Sequence, residues 1–187
     1  RVIAEAIFGA FSPEGKLPVT FYHSVEELPA FTDYSMKNRT YRYMRQEALY
    51  PFGYGLSYTE FEIGDVKLDR DRITEAGVQV TAKIRNAGSM AGGETLQVYV
   101  KAERDGTPNP QLKAFRKVRL QPGEERVVSI QLPPEAFGLY DEAGNRSIRQ
   151  GTYTVYAGAS QPDRRSRSLT GKSPAAFTLT ADRDIEL

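Results

Sequence analysis

The sequence has no cysteine and no tryptophan, and only one histidine among its 187 residues. Without cysteine there is no disulfide, no thiolate metal site and no thiol nucleophile. That absence leaves the compartment open, because a secreted chain large enough to build a core can do without staples. The lone His23 supports neither a multi-histidine metal site nor, at the expected exit of a strand, a catalytic base. An excess of charge is missing too: 25 Lys and Arg stand against 24 Asp and Glu, a net charge of +1. That balance gives no electrostatic case for a nucleic acid or an anionic membrane as partner. No apolar run approaches the about 18 residues that a membrane helix needs. The chain opens at Arg1, without Met, and runs at once into the apolar stretch 2–11, so it says nothing about targeting.

What is present falls into three stretches. In residues 1–11, Val2, Ile3, Ala6, Ile7 and Ala10 recur at helical spacing, with Gly9 near the expected end. Ser12-Pro13-Glu14-Gly15 then turns the chain, and Leu17–Tyr22 is expected to be a short strand. One helix and one strand cannot bury both their apolar faces on each other, so residues 1–24 look like the tail of a larger α/β layer. Residues 25–60 have no clean period and carry a dense aromatic series, with Phe31, Tyr34, Tyr41, Tyr43, Tyr50, Phe52, Tyr54 and Tyr58, interleaved with Lys37, Arg39, Arg42 and Arg45. A connecting arm of that length is unusual in a compact domain, and its apolar content argues that it lies against something.

From Phe61 the pattern becomes strands at regular spacing. Val78, Val80, Ala82 and Ile84 alternate with polar residues, as do Leu96, Val98 and Val100, then Val128, Ile130 and Leu132, then Tyr153, Val155 and Ala157. Val118 and Leu120 are core positions of a less regular run. The phase change at Gly64-Asp65 predicts a bulge, Pro122-Gly123 suits a type II turn, and Pro134–Phe137 one helical turn. A last strand is expected at Ala176–Thr180. Six or seven short antiparallel strands predict a mainly β fold: a fibronectin type III-like, immunoglobulin-like β-sandwich over 61–187. Tyr153, early in the penultimate strand, fits either the tyrosine corner of such sandwiches or an ordinary core position.

The segments GKLPVTF (15–21), LYPFGYGLSYTEF (49–61), NAGSMAGGETLQVYV (86–100), LKAFRKVRLQPGEERVVSIQL (112–132) and GTYTVYAGAS (151–160) resemble, in this order and spacing, the C-terminal end of glycoside hydrolase family 3 enzymes. These are β-glucosidases, β-xylosidases and relatives. DYSMKNRTYRY (33–43) is similar to the β-xylosidase-like branch. The resemblance implies a retaining, exo-acting parent that removes terminal non-reducing β-linked sugars from oligo- or aryl β-glycosides. In it a (β/α)8 barrel would carry the nucleophilic Asp, an α/β sandwich the Glu acid/base, and a fibronectin-like domain would follow. Retaining hydrolysis needs two carboxyl groups about 5–5.5 Å apart, and both family motifs lie upstream of the segment matching 15–21. No residue here is then catalytic, no cofactor or metal is implied, and the chain alone should not hydrolyse a glycoside. Its partners would be the upstream barrel and sandwich domains. The parent's compartment stays open between periplasm or exterior and cytoplasm.

Candidate site residues are few. Glu26-Glu27 and Glu124-Glu125 are adjacent, and neighbours on a strand face opposite ways, so they read as solvated surface. Asp69-Arg70-Asp71-Arg72 reads as an exposed charged turn. The cluster Arg164-Arg165-Ser166-Arg167 with Lys172, after Gln161-Pro162-Asp163, reads as a solvated loop. Arg42 and Tyr43 carry the one functional option, a border of a sugar subsite in the intact enzyme, since aromatic faces stack on sugar rings and Arg donates in pairs. The competing reading is packing between domains. A non-catalytic carbohydrate-binding module would need an aromatic platform on the sandwich, where Tyr99, Phe115 and Tyr156 are scattered. A self-association element, docking the tyrosine-rich arm on a second copy, is the remaining alternative.

Overall fold

The computed structural model describes residues 1–187. Strands β1 (Phe61–Leu68), β2 (Val78–Asn86), β3 (Gly92–Ala102), β4 (Gln111–Leu120) and β5 (Glu125–Leu132) come first. They are followed by β6 (Leu139–Tyr140), β7 (Arg146–Ile148), β8 (Gly151–Gly158), β9 (Ala175–Ala181) and β10 (Ile185–Glu186). All strand pairs are antiparallel, in a sheet of order β1-β2-β5, a facing sheet of order β4-β3-β8-β9 and a small sheet of order β10-β7-β6. The fold is mainly β, a fibronectin type III-like sandwich.

The alternation explains the layering. Val78, Val80, Ala82 and Ile84 of β2, with Val128, Ile130 and Leu132 of β5, meet Leu96, Val98 and Val100 of β3 and Tyr153, Val155 and Ala157 of β8 in one apolar core. Burying each Val, Leu or Ile side chain among them stabilises by about 1.5–3 kcal/mol before entropy is counted. The expected bulge is present: the β1–β2 register shifts between Gly64 and Lys67, and Asp65 sits at φ 49°. Gly123 takes φ 75°, as a Pro-Gly type II turn requires. Pro134–Phe137 forms a single 3-10 turn that buries Phe137 edge-to-face on Tyr153, with ring centroids 6.0 Å apart. Tyr153 is a tyrosine corner in its bonding: its hydroxyl donates to the Arg149 carbonyl at 2.8 Å and accepts from the Arg149 N–H at 3.0 Å.

Four expectations need correction. Arg164–Thr170 is a helix, not a solvated loop. Its polar run has no apolar period, but Asp163 caps it by accepting from the Ser166 N–H at 2.8 Å, and Gly171 ends it at φ 67°. Leu17–Tyr22 forms no regular strand, because Pro18 removes a donor and only the Phe21–Tyr50 bridge is ladder-like. Glu26 and Glu27 lie in a 3-10 turn over Val25–Glu27, so the opposite-faces argument for them fails, although Glu26 is exposed. Tyr99 is not an outward aromatic of the sandwich but is 0% exposed, with Gln97 buried beside it, because the arm covers the outer face of β3.

Before the sandwich, α1 (Val2–Ile7) ends in a turn with Gly9 at φ 75°, as its sequence predicts, but none of its residues is buried. Residues 12–22 are tied to 49–58. The Leu17 N–H donates to the Tyr54 carbonyl and the Gly53 N–H to the Leu17 carbonyl, both at 2.8 Å. The Ser12 hydroxyl meets that of Ser57 at 2.8 Å. A half-buried ion pair between Lys16 and Glu94, 2.8 Å, fixes the same segment to β3.

Candidate functional site

The aromatic arm is held to the sandwich from the turn at Thr40–Tyr43 onward. After Asn38 and Thr40, both at positive φ, the chain makes the single turn α2 (Thr40–Tyr43). Asn109, between Pro108 and Pro110 in the β3–β4 connection, clamps that turn. Its side-chain amide donates to the carbonyls of Tyr41 (3.0 Å) and Met44 (2.8 Å), and its backbone N–H donates to the Arg42 carbonyl (2.8 Å). Tyr41 stacks on Phe52 at 4.2 Å, stands edge-on to Tyr99, and accepts from the Leu112 N–H at 3.2 Å. Below it the Gln97 amide donates to the Gly53 and Ala159 carbonyls at 2.9 and 2.8 Å, and the Tyr99 hydroxyl donates to Gln97 at 2.6 Å. The buried Gln97 amide and Tyr99 hydroxyl thus have partners, which offsets the cost of burying them under the arm.

This clamp turns Arg42 and Tyr43 outward side by side. Together they form the wall between two clefts. One, of about 590 Å³, is bordered by Val19, Tyr22, Leu28, Met36 and Phe52 and is largely apolar. The other, of about 480 Å³, lies between α2, the β3–β4 connection and the β6–β7 hairpin, and gathers Arg104, Lys113, Tyr140 and Arg146. The structure therefore brings the two sequence candidates together at a cleft edge, where an aromatic face and a guanidinium are presented to the same space.

Lys113 and Arg146 were not singled out by sequence reasoning. Lys113 is half-buried on β4; burial, then the neighbouring positive charges of Arg42 and Arg146, lower its pKa. Arg146 donates to the Glu135 carbonyl at 2.6 Å and lies over the Tyr140 ring at 5.5 Å. Nothing in the spacing of residues 113 and 146 links them; only the hairpin packing does.

The cleft presents cations and aromatic faces, a chemistry suited to binding. Every carboxyl whose pKa departs from its ordinary value departs downward: Glu26 through its bond from Ser24, Asp33 through Ser35, Glu124 through the Gln121 N–H, and likewise Asp65, Asp69, Glu103, Asp141 and Asp184. A general acid needs the opposite shift. No group of three or more His, Asp or Glu side chains is arranged to hold a metal ion, and no helix is long and apolar enough to cross a membrane. On the sandwich, Phe115 is exposed on β4 but Tyr156 is only half-exposed and Tyr99 buried, so the three make no platform.

Comparison with known proteins matches residues 1–58 to the glycosyl hydrolase family 3 C-terminal domain and residues 94–161 to a fibronectin type III-like domain. A xylan 1,4-beta-xylosidase of Xylanibacter ruminicola is 37% identical over 171 residues, covering 90% of this chain and 20% of that protein. Thermostable beta-glucosidase B of Acetivibrio thermocellus is 33% identical over 178 residues, covering 86% of this chain and 24% of that protein. Among solved structures, the beta-glucosidase from Listeria innocua in complex with glucose superposes with a TM-score of 0.78 at 30% identity, over 97% of this chain and 26% of that one. The chain spans between a fifth and about a quarter of the length of the proteins it matches.

Proposed function

We propose, from the premise that this chain is the C-terminal part of a glycosyl hydrolase family 3 protein, that it braces the catalytic domains of a retaining exo-acting β-glycosidase, a β-glucosidase or β-xylosidase acting on oligo- or aryl β-glycosides. The division into an α/β remnant (1–24), an arm (25–60) and a sandwich (61–187) belongs to the same reading. The observation that carries it is an asymmetry of burial. The arm from Tyr41 onward is fastened to the sandwich, whereas α1 and residues 25–36 leave large apolar side chains in solvent, with Phe8 88% and Phe31 94% exposed. Exposed apolar surface of this kind marks a contact, and covering it yields roughly 25 cal/mol per Å² before ordering costs. The contact partner in this reading is upstream polypeptide carrying the catalytic Asp and Glu. Arg42 and Tyr43 then border a sugar subsite at the edge of that contact.

In this role the chain alone is not a catalyst. Incubated with aryl β-glucosides and β-xylosides it should release no aryl alcohol above the uncatalysed rate, while the same residues joined to the upstream domains should be active. Turnover by the chain alone would end the reading. The exposed Phe31 and Tyr34 of the arm also favour self-association when nothing covers them. Sedimentation over a concentration series decides that, a monomer throughout counting against it.

A further inference from the structure

The cleft behind Arg42 and Tyr43 gathers a cluster of positive charge. Arg42, Arg104, Lys113 and Arg146 border it, and among the lining residues only Asp105 is acidic. No carboxylate oxygen lies within ion-pair distance of any of these four cations, although Arg149 at the rim is paired with Asp184 at 3.0 Å. Lys113, half-buried, has only the Gln111 side-chain oxygen near it, at the long distance of 3.4 Å. Arg146 is fixed by the Glu135 carbonyl and the Tyr140 ring, yet its buried Nε has no acceptor. Gly138 permits this placement, since a Cβ there would stand 2.7 Å from that Nε.

Like charges held together and partly dehydrated repel one another unless an anion joins them. A fixed guanidinium beside an ammonium matches the two oxygens of a carboxylate or phosphate. The geometry points to an oxyanion-binding site in this cleft, with Lys113 and Arg146 as its floor and Arg42 and Arg104 as its rim. The ligand is a small molecule bearing one carboxylate or phosphate group. Two sources share that chemistry: an acidic sugar, whose ring would lie against Tyr43 or Tyr140, and a free inorganic oxyanion. The site does not rest on the sugar-subsite reading, because it is complete within this chain.

The test is calorimetric titration of the 187-residue chain with sodium glucuronate, inorganic phosphate and, as a neutral control, glucose. Saturable binding of an oxyanion at about millimolar concentration or below, with none of glucose, is the expected result. Lys113→Gln and Arg42→Gln should each weaken it about tenfold, and added salt should weaken it further. Glucuronate tighter than phosphate assigns the acidic sugar; phosphate equal or tighter assigns the free ion. Absence of saturation by either up to about 10 mM overturns the site. So does affinity unchanged in both variants, with circular dichroism showing that they fold. Tight capture of an acidic peptide with neither small anion bound would give the cleft to a protein partner and overturn the small-ligand assignment.

Discussion

At the scale of single residues, the most heavily bonded side chain is polar and lies between the two sheets. Asn86 is 0% exposed; its oxygen accepts from the Thr59 hydroxyl (2.7 Å) and the Gly88 N–H (3.1 Å), and its amide donates to the carbonyls of Met90 (2.8 Å) and Leu120 (3.2 Å). It joins the end of the arm, the β2–β3 turn and β4. Asn86→Ala should cost about 2–3 kcal/mol, because it strands four partners, two of them in fully buried bonds; urea denaturation measures it. Asp184 acts at the surface. The Gln150 N–H at 2.6 Å, then Arg149, hold its carboxyl below the ordinary 3.8. A depressed folded pKa gives stability that is fully present above the ordinary carboxylate range and is lost as pH falls through the lowered value. Asp184→Asn should therefore lose Tm at about pH 7 and converge on the unsubstituted chain by about pH 2 in thermal melts. A constant difference across that range would refute the linkage.

At the scale of elements, the arm and β3 stabilise each other through Gly53. It sits at φ 77°, where a Cβ would stand 2.3 Å from the Gln97 side-chain oxygen. Gly53→Ala should cost more than about 1 kcal/mol and loosen the arm, seen as faster exchange of the Leu17-, Gly53- and Tyr54-region amides with β2 and β5 unchanged. The strands were legible because one face of each is buried, so period two survives in β2, β5 and β8. In β3 it fails. Leu96, Val98 and Val100 read correctly as inward, but Gln97 and Tyr99 read as outward, and they are buried by 41–58, a covering that no local pattern encodes. The helix Arg164–Thr170 was missed for the opposite reason. It buries little beyond Ser166, so it has caps and no apolar stripe. Of the clefts, Arg42 and Tyr43 were readable as an aromatic–cation pair. Lys113 and Arg146 were not, since 33 positions and several strands separate them.

At the scale of the whole molecule, two kinds of surface meet along one chain. From Phe61 onward the strands close on a shared core to which 41–58 are fastened, and before that α1 and residues 25–36 hold their apolar side chains outward. A brace must have both: a rigid body that folds locally, and a face completed only by what it supports. The most direct measurement is amide hydrogen exchange on this chain alone and on the same residues joined to the upstream domains. Val78–Ile84, Leu96–Val100 and Val128–Leu132 should exchange slowly and equally in both. Residues 2–8 and 25–36 should be protected only in the joined form. Equal exchange of those two segments with and without the upstream domains would contradict the account.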